Sequence, residues 1–233
     1  KGFKGKIGVY RLSGRSLKNI PAHNEKIYGR DKEHLLLSGF ISPILEGRNA
    51  GTIIVTGQEG IGKSVLIRSV ERSMSEKVKW IYMNPANISG QNLSPVISGL
   101  QSVFALTDMS ASEAVDNFNL KFNGFLSGCS NKSLAEETEE GRSYIAGLLD
   151  IIIKNSVFSK IKGKLRRDNF ISASRSFFKC ISLNYPVVLV FEDSQWMDSD
   201  TEELIRQLGI NSDDFPFAII LLERTFEGRE TVS

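Results

Sequence analysis

The sequence predicts an α/β protein built on a doubly wound parallel sheet with helices on both faces. Three observations predict it. The apolar run Thr52-Ile53-Ile54-Val55-Thr56 ends in Gly57 and passes through a loop of small and polar residues into a helical pattern that opens at Lys63. The run Pro186 to Phe191 is the most apolar in the chain and is followed at once by Glu192-Asp193. A third run, Phe217 to Leu222, ends in Glu223-Arg224-Thr225. With helical patterns between them, these runs give the order strand, helix, strand, long helical stretch, strand, helix, strand. That is the order of a doubly wound sheet. Ligands of such sheets bind at the carboxyl ends of the strands, and Gly57 to Ser64, Glu192-Asp193 and Arg224 all fall at that edge.

The chain has 233 residues, 41% hydrophobic and 24% charged, with a net charge of +2. This suits one α/β domain whose core is large enough to stand alone. The charge is too near balance to argue for a nucleic-acid or membrane partner. It is unevenly spread: residues 1–50 hold ten Lys/Arg against four Asp/Glu, a net of 10 − 4 = +6, so the remainder nets 2 − 6 = −4. Cys129 and Cys180 form neither a disulfide framework nor a metal spacing, and free thiols in a reducing, cytoplasmic compartment are expected. No apolar run approaches the ~18 residues of a membrane span, and no secretory signal is visible. The first residue is not Met, which suggests a piece of a longer protein.

In chain order, Ile7 to Leu12 reads as a short strand closing a preceding domain (1–12). Polar residues with Gly14, Pro21 and Asn24 read as a linker over 13–26, and a single nucleotide-binding unit follows over 27–233. Leu35-Leu36-Leu37, Phe40-Ile41 and Ile44-Leu45 recur at helical spacing, and the helix ends near Gly47. Residues 63–75 predict a helix and Val78 to Met83 a second strand. Leu93 to Leu106 predicts a helix, with Pro95 tolerated in its first turn. Over 107–140 the pattern is weakest. Phe118, Leu120, Phe122 and Phe125 suggest a helix, while Asn131 to Glu140, polar and acidic, reads as a loop. Tyr144 to Ile153 predicts a helix, Lys154 to Arg167 a solvated basic loop, and Phe170 to Leu183 a helix again. The run at 186–191 predicts a strand buried on both faces. Thr201 to Leu208 predicts a helix, with Ser199 and Glu202 at capping-box spacing.

The chemistry follows from the loop. Gly57-Gln58-Glu59-Gly60-Ile61-Gly62-Lys63-Ser64 fits G-x-x-x-x-G-K-[ST] between a strand and a helix. Glycines let successive backbone N–H groups turn toward one phosphate, and the helix N-terminus behind them adds partial positive charge. Lys63 is placed to reach the β- and γ-phosphates and the Ser64 hydroxyl to ligate Mg²⁺. Adjacent carboxylates at the end of a buried strand are costly without a cation. Glu192 and Asp193 therefore predict Mg²⁺ held by a carboxylate on the neighbouring strand and a second acid polarising a water. Arg224 is a candidate sensor of the γ-phosphate, provided the last strand lies between the other two. Gly29-Arg30 enters the site region one loop before the phosphate-binding strand.

Tyr28-Gly29-Arg30-Asp31-Lys32-Glu33, the phosphate loop and Val190 to Asp198 together resemble the P-loop NTPase modules of the AAA+/STAND type, members of the larger ASCE class. The resemblance spans about 26–225. It implies ATP with Mg²⁺, Gly29 and Arg30 near the adenine, Glu192 as the metal-associated acid and Asp193 as the water-polarising acid. The order Glu-Asp departs from the commoner Asp-Glu, and the shorter Asp implies slow turnover. The chain stops before the helical lid usual in the family. Lys1 to Arg11 resembles the closing strand of a class III nucleotide cyclase domain, so the order resembles a soluble adenylyl cyclase, with cyclase catalytic residues absent from this stretch.

The leading expectation is an ATP-binding, slowly hydrolysing regulatory module that acts on neighbouring domains of its own chain. A homo-oligomer supplying an arginine in trans fits the same family. Two alternatives stay open: an ATPase switch of a transcription regulator or replication-initiator kind, and a scaffold that holds nucleotide without hydrolysing it. No Asn-Lys-x-Asp run reads guanine.

Overall fold

The computed structural model describes residues 29–74, 76–85, 92–153 and 161–225. The strand expected at 7–12 and the linker at 13–26 lie outside the described residues. Strands β1 (Gly51–Gly57), β2 (Lys79–Met83), β3 (Val187–Phe191) and β4 (Phe217–Arg224) form an all-parallel four-stranded sheet in the order β1-β4-β3-β2. The last strand thus lies between the phosphate-loop strand and the acid-pair strand. The acid pair is two strands from the phosphate loop, not on the adjoining strand. The register aligns the carboxyl ends: Gly57 is level with Arg224, and Phe191 with Leu221 and Met83.

Period-two alternation sorts the buried strands onto two faces. Val188, Val190, Ala218, Ile220 and Leu222 pack with Leu37 and Ile41 of α1 (Asp31–Ile41) and with Leu66, Ile67 and Val70 of α2 (Lys63–Ser73). Val187, Leu189, Phe191, Phe217, Ile219 and Leu221 pack on the opposite face. There they meet α3 (Ser94–Phe104), α4 (Ala111–Gly128), α6 (Arg142–Leu148), α7 (Gly163–Asn184) and α8 (Ser199–Gly209). All five residues of β3 are buried, as the continuous apolar run requires.

Several elements depart from the sequence reading. The first helix stops at Ile41, and Pro43 opens a separate 3-10 turn, Ser42–Glu46, closed by left-handed Gly47. Leu35 and Leu36 are exposed, because only Leu37, Ile41 and Ile44 fall on the buried stripe. Residues 131–140 are not a loop. Asn131 caps α5 (Lys132–Glu140), whose Leu134 and Thr138 are buried one turn apart. Its acidic face is anchored where Arg175 donates to Glu137 at 2.6 Å. The helix expected over 144–153 is α6 and ends at Leu148; Asp150 takes a left-handed φ of 55° just beyond it. Lys164, Arg166 and Arg167 sit on the first turns of the 22-residue α7, not in a loop, and Arg167 pairs with buried Asp200. Lys162 is the extended N-cap residue of α7, and residues 154–160 of the basic stretch lie outside the described residues. Asp198, not Ser199, caps α8: its carboxylate accepts from the backbone N–H of Asp200 at 3.1 Å and of Thr201 at 3.0 Å.

Candidate functional site

The loop after β1 turns through left-handed glycines, Gly60 at φ 75° and Gly62 at φ 93°. Gly62 is the N-cap of α2, and no side chain caps that helix. The N–H groups of its first turn therefore face the cleft without a side-chain acceptor, and the helix dipole adds positive potential there. A Cβ built at either glycine meets nothing within 4 Å, so both are required by conformation, not by crowding. Gly57 is different: a Cβ there would lie 3.1 Å from Ile61 Cγ2, so the loop folds tightly across the strand end. The loop is tied down by Thr225, whose N–H donates to the Gly57 carbonyl at 3.2 Å.

Lys63 lies along this loop. Its Nζ donates to the carbonyls of Gly57 at 2.7 Å and Gln58 at 3.0 Å. Ser64 is exposed on the first turn. Across the cleft, Glu192 and Asp193 leave β3, and the Asp193 backbone is left-handed, at φ 50° and ψ 44°. Asp tolerates that region better than most residues, but the strain persists only where the surroundings fix it. The fixing contacts are from β4. Arg224 Nε donates to Asp193 Oδ1 at 2.7 Å and its second terminal nitrogen to Oδ2 at 3.1 Å. The remaining terminal nitrogen of Arg224 lies 2.6 Å from Glu59 in the phosphate loop. This bond from Arg224 holds the Asp193 carboxyl below its usual range, burial opposes it, and the charges of Arg224 and Lys63 add to the depression. The same bond raises the Arg224 guanidinium.

These residues enclose a cleft of about 440 Å³. Of the residues expected from sequence, Glu59, Gly60, Gly62, Lys63, Ser64, Glu192, Asp193 and Arg224 line it. Gly29, Arg30, Gly57, Gln58 and Ile61 are not among its walls. Arg30 instead grips the loop from the start of α1, donating to the Ile61 carbonyl at 3.0 Å. Gly29 beside it is left-handed at φ 74°. Gln195 is a site residue absent from the sequence reading. Its Oε1 accepts from the backbone N–H of Arg224 at 3.1 Å, and its Nε2 lies 3.4 Å from Asp193 Oδ1. The available signal was a lone amide two residues past the acid pair, on the 3-10 turn Ser194–Trp196.

The donor set fits a hard divalent cation in part. Ser64 and Glu192 offer a hydroxyl and a carboxylate to one cleft. Among the described residues no group of three or more His, Cys, Asp or Glu could hold a metal alone. A Mg²⁺ there would complete its shell with phosphate and water oxygens, which is its usual habit beside nucleotides.

A glycine loop running from a strand into an uncapped helix, with an acid pair and an arginine brought alongside by a parallel sheet, defines a phosphate-loop nucleotide-binding protein. The chain belongs to the AAA ATPase domain family, whose pattern matches residues 26–220. It is thus an AAA+ P-loop ATPase module, and ATP is the nucleotide the family implies. No curated protein matches the chain significantly. Among the described residues no helix is long and apolar enough to cross a membrane.

Proposed function

We propose that this chain is an ATP-binding, slowly hydrolysing regulatory module of a multidomain signalling protein, an adenylate cyclase of the soluble type. The observation that carries it is the convergence of Lys63, Ser64, Glu192, Asp193 and Arg224 on one cleft. In this reading the loop N–H groups and Lys63 bind the phosphates, and Ser64 and Glu192 would hold a Mg²⁺, which would supply neutralisation of phosphate charge. Asp193 orients a water toward the γ-phosphorus. Water adds there, the bond to the β–γ bridging oxygen breaks, and ADP and phosphate leave. Arg224 senses the γ-phosphate, and Gly29-Arg30 lies on the adenine side.

Slow turnover is supported by the Asp193 carboxylate, whose two oxygens both accept from Arg224, and by its short reach. A nucleotide bound for long periods biases a two-state arrangement that a neighbouring domain can feel. The cyclase assignment rests on the resemblance of Lys1 to Arg11 to a closing cyclase strand, followed by a linker and then this module.

The test is cyclase activity of the parent protein, intact and as Lys63→Ala, across ATP concentrations. A changed dependence on ATP supports regulation through this cleft. Identical curves for the two proteins contradict it.

A further inference from the structure

Arg224 carries five N–H donors, and its Nε and both terminal nitrogens are engaged by two carboxylates on opposite walls of the cleft. Asp193 takes Nε and one terminal nitrogen at 2.7 and 3.1 Å, and Glu59 lies 2.6 Å from the other. An acidic side chain inside a phosphate-binding loop works against anion binding unless its charge is answered, and here Arg224 answers it. The backbone adds a third hold, since Gln195 Oε1 fixes the Arg224 N–H and also places its amide nitrogen beside Asp193. The three side chains remain in contact with water: the side chains of Arg224 and Asp193 are 33% and 37% exposed, and that of Glu59 is 77% exposed. The contacts are therefore exchangeable, not locked.

We propose that Glu59 and Asp193 form a latch on Arg224, so that a third phosphate must draw the guanidinium from both carboxylates and in doing so frees Asp193. Glu59 then sets how much triphosphate is needed to open the site, and the carboxylate that would act on water becomes available only when there is a γ-phosphate to attack. A diphosphate, lacking the group that competes for Arg224, leaves the latch closed. The inference rests on the proposed nucleotide function and deepens it by naming the residues that tune triphosphate against diphosphate.

The test is calorimetric affinity for ATP and for ADP, with Mg²⁺, in the unmodified chain, Glu59→Gln, Arg224→Ala and the double variant. Glu59→Gln is expected to strengthen ATP relative to ADP by roughly two- to fivefold, the range an exposed ion pair supports. In the Arg224→Ala background the same substitution is expected to change the ATP to ADP ratio not at all. Should Arg224→Ala fail to fold, Arg224→Gln serves the same comparison. An equal gain for ATP and ADP that persists without Arg224 overturns the latch and leaves simple charge repulsion by Glu59. Absence of nucleotide binding by the unmodified chain overturns the nucleotide function itself and the latch with it.

Discussion

The two faces of the sheet are made of different material. The buried side chains under the phosphate loop are aliphatic, Leu37, Ile41, Leu66, Ile67 and Val70 against Val188, Val190, Ile220 and Leu222, with Phe40, Trp80 and Tyr82 only partly buried at their margin. The other face carries a cluster of phenylalanines. Phe104 and Phe118 lie 4.7 Å apart between ring centroids, and Phe177 is 5.4 Å from Phe104 and 5.5 Å from Phe122. On this face α1, the 3-10 turn Ser42–Glu46 and α2 cover the sheet, and α2 begins at the phosphate-loop cleft. The aromatic face holds the long helical stretch between β2 and β3 to the sheet. The aromatic packing thus lies on one face and the helix that starts at the phosphate loop on the other, and the two should respond to different substitutions.

The largest effect is expected on the aromatic face. Phe177→Ala removes a ring that touches Phe104, Phe122, Phe125 and Phe178. It should cost about 3–5 kcal/mol of unfolding free energy by denaturant titration. A loss under about 1 kcal/mol would mean that the cluster repacks and the contrast between faces is smaller than the ring contacts imply.

Lys63→Ala should separate chemistry from stability. It removes the ammonium that spans the loop, and ATP affinity should fall by about 1.5–3 kcal/mol, the worth of charged hydrogen bonds. Denaturation without nucleotide should move little, since the hydrogen bonds of Lys63 go to carbonyls of its own loop, Gly57 and Gln58. Equal losses in both measurements would show that the loop is also a structural support.

Gly62→Ala should act on both at once. At φ 93° an L side chain is strained, at about 1–3 kcal/mol. The expected outcome is a lowered melting temperature together with weakened nucleotide binding, because the same residue shapes the loop and starts α2.

The smallest effect is the acid response of Asp193. Its folded pKa lies below the ordinary value of 3.8, so its contribution is present above that value and is lost as pH falls through the folded pKa. The group is partly exposed, so water screens the term and it stays small. Denaturation midpoints of the unmodified chain and Asp193→Asn should converge as pH drops below about 4. Parallel curves over that window would show that the Arg224 contact adds nothing to stability.

The phosphate edge was legible in the sequence and the helical stretch only in part: α3, α4 and α7 answer to expected helices, whereas α5 was read as a loop, for physical reasons. Strands buried on both faces read as unbroken apolar runs, so β3 and β4 stand out, and the loop glycines mark a conformation few other residues adopt. The helices α4 and α5 are written more faintly. In α4 only Phe118, Phe122 and Phe125 are buried, and α5 buries just Leu134 and Thr138. Their start marks are nonetheless present: Ser110 and Glu113 form a full capping box, and Asn131 accepts from the Leu134 N–H at 3.0 Å. Within the site, residue types at the strand ends point to phosphate chemistry. The Arg224–Asp193 and Arg224–Glu59 contacts do not show in the sequence, because they depend on β4 lying between β1 and β3 and on the left-handed turn at Asp193.

The most direct test of the central claim is binding of ATP and of GTP, with Mg²⁺, to this chain and to Lys63→Ala, with phosphate release followed in the same samples. The account predicts ATP binding in preference to GTP that depends on Lys63, with phosphate released slowly or not at all. Binding that is indifferent to Lys63, or no nucleotide binding by the unmodified chain, would contradict it.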